Sequence, residues 1–365
     1  MHLAFVDITY GYTADRPDSA APVGGTTSAV CFTARELVKA GVKCSFFNKI
    51  EAPAEACGIP SLPLSALAQA VNNPDYTAFI FCGRWIPDMV RLIRANTKVQ
   101  LIAWMHESSF NDKLVTALPE FDAVSYVSAW QQRINQPLAY PHWRQVVIRG
   151  AMNPHFAALF DVDEPILAVK TRPPILLYAG TAPRGVFHLP PILDELRKLR
   201  QDFTVEIYCN TNPSGSAEQD AQYITWLRGL LKVTHVGMVG QPQLAQAMKR
   251  AAFLISPNTW PETSCISMIE GMAAGLSVIT TNRAVLPETA AGFARHIAVD
   301  TPDDPVRFDM PVPAAAFANA INLAMDEWIN LPQKIEQKLR AQINYCLAHY
   351  QWQQRPAYWI EFLKG

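Results

Sequence analysis

Residues 255–281 read ISPNTWPETSCISMIEGMAAGLSVITT, and their alternation decides how the chain is built. The run AFLIS at 252–256 is short and apolar, the pattern of a buried strand. Pro257 and Pro261 punctuate a loop after it. Thr263 or Ser264 then stands where a hydroxyl caps a helix. That helix is expected over 265–274, stopping at Gly275, and a strand is expected over 276–281. The small residues of the Gly271–Gly275 run let the helix lie close against a sheet. Strand, loop, helix and strand in this order make one β-α-β unit, which implies a parallel sheet.

Outward from this unit the same grammar repeats. Upstream, strands are expected at 175–179, 204–209 and 233–239, with helices near 189–201, 218–231 and 242–251. The first half restarts the pattern with strands at 2–8, 42–48, 77–82, 99–105, 122–127 and 145–149. A helix near 27–40 follows the first of them and stops at Gly41. The polar, Pro-bearing stretch 161–174 (DVDEPILAVKTRPP) divides the halves. The expected organisation is therefore two doubly wound α/β domains. The first spans 1–165 plus a returning tail from about 345, and the second spans 166–344. The tail from 314 is helical and rich in aromatic residues.

Chemistry concentrates in the starting segment. Glu262 and Glu270 are separated by seven residues, the first on the loop at a strand's carboxyl edge and the second on the helix that follows. The leading N–H groups of that helix, on Cys265 and Ile266, lack intrahelical acceptors and offer an anion site. A phosphate at the helix end, with carboxylates beside it to accept hydroxyl hydrogen bonds, describes a nucleotide-sugar site.

At this point the segment resembles the E-x7-E signature of family 4 retaining glycosyltransferases of the GT-B fold. Other segments agree in order. VGGTTSAV (23–30) is similar to the Gly-Gly loop after the first strand, and AWMHESS (103–109) to a strand-end His motif. VIRGAMNPHF (147–156) is similar to the segment ending the N-terminal domain, and LPET (286–289) to the one following a later strand. ILLYAGTAPRGVFHL (175–189) is similar to the donor-phosphate loop, with one departure. Family members commonly carry Arg directly after the loop glycine; here Thr181 follows Gly180, and Arg184-Gly185 takes the later basic position.

The resemblance implies a GT-B fold, with two Rossmann-like domains facing across a cleft and C-terminal helices crossing back to the first. It implies transfer of a hexose-type sugar from a nucleoside diphosphate donor, UDP- or GDP-linked, to a hydroxyl acceptor in glycan or glycolipid biosynthesis. Arg184 with Gly185 would neutralise the diphosphate, assisted by the helix start at Thr263, Ser264, Cys265 and Ile266. Glu270 would bind the ribose, Glu262 the donor sugar, and the turn at Val239 and Gly240 the base. His106, reaching across the cleft, would contact the sugar, and Gly24 and Gly25 would let backbone approach the ligand. His106 and Glu262 are the catalytic candidates. No carboxylate nucleophile emerges, and the family implies substitution on one face, with diphosphate departure aided by fixed cations and amides.

Composition bounds these readings. The 365 residues carry 31 Lys and Arg against 32 Asp and Glu, a net charge of −1 that demands neither nucleic acid nor an anionic membrane as partner. No apolar run approaches the ~18–20 residues of a membrane span. The seven cysteines form no CxxC pair, which suits a reducing, cytoplasmic compartment. No metal and no cofactor are expected; Asp161 and Asp163 imitate a two-Asp metal motif but fall in the linker. No GxGxxG opens a helix, which disfavours a nicotinamide enzyme. Two other classes remain on the residues: a non-catalytic nucleotide-sugar-binding or scaffold protein, favoured by Thr181, and a sugar-nucleotide epimerase of the same fold.

Overall fold

The computed structural model describes residues 1–19, 21–109, 112–181, 184–209, 225, 229, 232–308 and 310–364. Two compact units emerge, one formed by Met1–Ser19, Val23–Ala151 and Trp352–Gly365, the other by Ala20–Pro22 and Met152–Gln351.

The first unit carries β1 (His2–Val6), β2 (Lys43–Asn48), β3 (Ala54–Ala56), β4 (Ile59–Pro63), β5 (Ala78–Cys82), β6 (Gln100–Met105), β7 (Ala123–Tyr126) and β8 (Arg144–Val147). They lie in the order β3-β4-β2-β1-β5-β6-β7-β8, parallel except for the β3–β4 pair. The second unit carries β9 (Ile175–Ala179), β10 (Thr204–Tyr208), β11 (Val233–His235), β12 (Phe253–Ser256), β13 (Ser277–Thr281) and β14 (Arg295–Ile297), in the order β11-β10-β9-β12-β13-β14 and all parallel. In each sheet the order reverses once, between β1 and β5 and between β9 and β12. At such a reversal the following loops diverge and leave a crevice at the carboxyl edge.

The longer helices are α1 (Gly25–Lys39), α2 (Pro87–Asn96), α3 (Ala129–Asn135), α4 (Leu189–Leu199), α5 (Gln241–Arg250), α6 (Ile266–Ala273), α7 (Leu286–Ala290), α8 (Ala314–Asn330), α9 (Pro332–His349) and α10 (Arg355–Lys364). The helix expected near 218–231 falls almost wholly outside the described residues. The central strands are buried along their whole length, as parallel strands covered on both faces must be.

The tail returns to the first unit, but later in sequence than expected. Trp359 packs edge-on against Trp104 at 5.1 Å, Trp352 stacks on Phe32 at 5.8 Å, and Arg144 Nη1 donates to Phe362 O at 2.7 Å. Helix α9, by contrast, stays with the second unit. Its Gln342 Nε2 donates to Met272 O and Leu276 O at 2.9 and 3.0 Å, beneath α6. The chain therefore rejoins the first unit at Trp352 rather than near residue 345. The first boundary also moves, from 165/166 to 151/152. Residues 152–165 are tied to the second unit by Met152 N to Tyr350 O at 3.0 Å, Asn153 N to Glu270 Oε1 at 3.2 Å and Lys249 Nζ to Glu164 at 2.7 Å. A polar, proline-bearing composition marks a connection, and here that connection is docked.

Candidate functional site

Two loops meet at the reversal point of the second sheet. The first follows β9. Tyr178 Oη donates to Thr181 O at 3.1 Å, and Arg184 N donates to Thr181 O at 3.0 Å, folding the turn back on itself. Gly185 then adopts φ +126°, and a Cβ there would lie 2.4 Å from Pro257 O. Only glycine fits this combination of backbone and close approach. Its absent side chain lets the Arg184 loop press against the loop after β12.

That second loop runs from Pro257 to Cys265 and is fixed by side-chain bonds to its backbone. Asn258 N donates to Ser256 O at 2.7 Å, and Thr281 Oγ1 donates to Asn258 O at 2.5 Å. Asn258 Oδ1 accepts from Trp260 N at 2.8 Å while its Nδ2 donates to Glu262 Oε1 at 3.3 Å. The same carboxylate oxygen lies 2.8 Å from Arg184 Nη1, with the Glu262 side chain 8% and the Arg184 side chain 42% exposed. Beneath the loop Arg283 is fully buried. Its guanidinium donates to the carbonyls of Thr259, Thr301, Pro302, Asp304 and Arg307, tying the loop to residues 301–307. Trp260, two residues before Glu262, stacks on Phe308 at 5.1 Å.

Helix α6 begins at Ile266, and its N-cap is Cys265 in the left-handed region, φ 55° and ψ 64°, with no side-chain cap. Neither Thr263 nor Ser264 caps it, contrary to the sequence expectation. The left-handed residue inserts one position between the hydroxyls and the helix, and Ser264 O instead accepts from Thr289 Oγ1 at 2.9 Å. The first-turn amides thus belong to Ile266 and Ser267, one residue beyond the expected pair of Cys265 and Ile266. Burial pushes the Cys265 thiol up to about 12, so it is a neutral packing group. No acidic residue occupies that first turn.

Glu270, on α6, is buried, and burial lifts its carboxyl to about 8 against the opposing pull of the Asn153 amide. At neutral pH the group is mostly protonated. A neutral carboxyl can both donate and accept, which suits a vicinal diol. Of the other donor-site candidates, Gly240 is the N-cap of α5 and Val239 precedes it, beyond the end of edge strand β11. The structure joins Arg184, Gly185 and Glu262 in one contact network, and attaches Glu270 to Asn153.

The reversal point of the first sheet is built from other materials. Gly24 is the N-cap of α1 and Gly25 its first residue; the first turn holds no acidic group. Gly24 has φ −72°, and a Cβ there would meet nothing within 4 Å, so neither backbone nor packing demands glycine. Gly83, after β5, has φ +76°, and a Cβ on it would lie 3.6 Å from both His106 Cβ and Thr26 Cγ2. His106, at the end of β6, packs on Trp104 at 4.7 Å. Burial drives its imidazole down to about 3, so it stays neutral at physiological pH. Asp7, after β1, is buried, accepting from Tyr12 Oη and from Thr9 N, each at 2.8 Å.

Sequence reasoning missed Asn258, Arg283, Gly83 and the Asp7–Tyr12 pair. An Asn directly after a strand-ending Ser-Pro carries a turn signal that pointed to Asn258. Nothing local distinguishes Arg283 from a surface arginine.

Residues 173–322 match the family model described as glycosyl transferases group 1, which covers β9 through most of α8 and both loops of the second site. Among solved structures the whole chain is similar to a glycosyltransferase from Rickettsia africae, at 15% identity and TM-score 0.74, covering 100% of this chain and 97% of that one. It is similar to sucrose-phosphate synthase from Thermosynechococcus elongatus, at 16% identity and TM-score 0.70, covering 100% and 98%. It is also similar to HepE from Anabaena, solved with UDP and glucose, at 13% identity and TM-score 0.67, covering 100% and 99%. No curated protein matches the chain in sequence. The GT-B fold expected from the sequence is borne out, and so is the resemblance to group 1 glycosyltransferases.

Proposed function

We propose that the protein is a glycosyltransferase that moves a sugar from a nucleoside diphosphate donor to a hydroxyl acceptor, with retention and without a metal. The observation that carries this reading is the Arg184–Glu262 contact at the reversal point of the second sheet, inside the segment matched by the family model. A guanidinium suits phosphate oxygens because its planar fork makes two parallel charge-assisted bonds. A nearly buried carboxylate beside it suits sugar hydroxyls, whose O–H groups are donors. The amides of Ile266 and Ser267 face no acidic side chain in their own turn and add positive potential for the departing diphosphate. Protonated Glu270 takes the ribose diol. UDP is the first nucleotide to try, since HepE was solved with it.

The chemical need is stabilisation of a leaving diphosphate as the anomeric carbon gains positive charge. Arg184 and the helix amides meet that need without rearranging at the moment of bond cleavage. Glu262 holds the sugar, and its negative charge also favours the developing oxocarbenium ion. The acceptor is assigned to the first unit, where the roles of His106, Gly24 and Gly25 rest on the resemblance alone. In the cell the protein is placed in the cytoplasm, in glycan or glycolipid synthesis.

The test is a panel of UDP-, GDP- and ADP-sugars with chelator present, scored for transfer to a mixed sugar-acceptor pool and for slow hydrolysis. Transfer with retained anomeric configuration is expected, lost by at least about 100-fold in Glu262→Ala, as for removal of one preorganised electrostatic group. Nucleotide-sugar binding without transfer or hydrolysis would favour the non-catalytic reading, which the Thr181 departure supports. Conversion of the donor with no acceptor present would favour an epimerase.

A further inference from the structure

We propose that Arg184 and Glu262 form an exchangeable pair that makes the site prefer a nucleoside diphosphate carrying a sugar over the same nucleotide without one. This rests on the donor reading above. The two partners differ in freedom. Arg184 is 42% exposed and can swing towards an incoming diphosphate, whereas Glu262 is 8% exposed and cannot follow. Its loop is held by Asn258, by Thr281 and, through Thr259, by the buried guanidinium of Arg283.

A diphosphate offers Arg184 more negative charge than a carboxylate does, in a geometry its fork matches. A three-way cluster of phosphate, guanidinium and carboxylate would also bring like charges together. Arg184 therefore leaves Glu262 when phosphate arrives. Thr181, where a second cation is common, means that no arginine at that position can take the phosphate in its place.

Glu262 is then a nearly buried carboxylate that has lost its cation and keeps the neutral Nδ2 of Asn258 as a donor at 3.3 Å. Leaving a buried charge without its partner is costly. The donor's sugar hydroxyls restore the missing hydrogen bonds. A bare nucleoside diphosphate, the product, brings no such hydroxyls to that position and bears the whole cost. The exchange thus weakens product relative to donor and speeds product release. Glu262 sets specificity in this scheme by its charge as well as by contact.

The experiment is calorimetric titration of the full chain and of Glu262→Gln with UDP, GDP and ADP, and with UDP-glucose and GDP-mannose as sugar-bearing probes. Wild type is expected to bind a bare nucleotide more weakly than its sugar conjugate. Glu262→Gln, freed of the competing charge, is expected to bind the bare nucleotide about three- to tenfold more tightly than wild type and to lose the preference for the conjugate. Folded Glu262→Gln with unchanged or weaker nucleotide binding overturns the proposal while leaving the donor reading intact. Should Glu262→Gln fail to fold, Glu262→Ala, which also removes the competing charge, must show the same rise, and a flat result overturns the proposal equally. Failure of wild type to bind any of the five probes removes the donor reading and this inference together.

Discussion

The two sheets reverse strand order once each, and the two reversal points are furnished differently. In the second unit the point between β9 and β12 holds charge, with Arg184 against Glu262 at 2.8 Å and Glu270 buried on the neighbouring helix. In the first unit the point between β1 and β5 holds an open helix start at Gly24, a left-handed Gly83, a neutral His106, the buried Asp7 bonded to Tyr12, and Arg84 paired with Glu107 at 3.1 Å. The topology is shared, so it fixes where a ligand can sit and says little about which ligand. A charged furnishing suits a diphosphate. Helix amides beside an uncharged imidazole suit groups that must be held without strong attraction.

The glycines give the sharpest test of this contrast. Gly185 is required by its own backbone and by the approach of Pro257, so Gly185→Ala should carry the largest penalty. A Cβ at 2.4 Å from a carbonyl oxygen, on a residue at φ +126°, cannot be absorbed by a flexible side chain. Loss of about 2–3 kcal/mol in denaturant unfolding is expected, together with loss of nucleotide binding by more than about tenfold. Unchanged stability and binding would mean that the two loops are not pressed together, and the site as described would dissolve.

The next largest effect concerns pH, and here the two points should respond with opposite sign. Glu270 has its carboxyl raised to about 8, above its ordinary value of 4.5. Its favourable contribution is complete below about pH 4.5 and is lost as pH rises through 8, because the folded state holds the proton more tightly. His106 has its imidazole lowered to about 3 from 6.5. Its contribution is complete above pH 6.5 and is lost as pH falls towards 3, because the unfolded state binds the proton more tightly. Stability measured from pH 4 to 9 should therefore fall at both ends. Glu270→Gln should flatten the alkaline fall alone, and His106→Gln the acid fall alone. A single variant flattening both limbs would refute the separate assignment.

What was legible in the sequence divides along the same lines. Buried parallel strands are short apolar runs and amphipathic helices have their own period, so β1, β5, β6, β9, β12 and β13 were expected within a residue or two of their observed ends. Arg184, Gly185, Glu262 and Glu270 were legible as residues because they fall within a motif. Their partners were not. Glu270 meets Asn153 across 117 residues, and Arg283 gathers carbonyls from either side of β14, so no window of sequence contains either arrangement. The Cys265 cap was missed because left-handed φ at a non-glycine residue follows from tertiary packing rather than residue type. β3 and β4 carry AEA and IPSLP, with Pro at two of five positions in the latter, and make no strand signal.

The smallest expected effect on the fold is also the one that separates packing from function at the first reversal point. Gly24 begins α1 with φ −72°, which any residue adopts, and a Cβ there meets nothing within 4 Å. Gly24→Ala therefore has no steric reason to destabilise. Alanine is a poorer N-cap than glycine, which sets a cost of a few tenths of a kcal/mol up to about 1 kcal/mol. If the open space before α1 is simply unfilled surface, transfer should also be unchanged. If it is where ligand approaches the helix amides, a methyl group standing there should lower kcat/KM by about tenfold or more while unfolding stays within that margin. Steady-state kinetics beside denaturant unfolding of this one variant reads both quantities. The same pair of measurements on Gly185→Ala cannot separate them, because there the glycine serves the fold first.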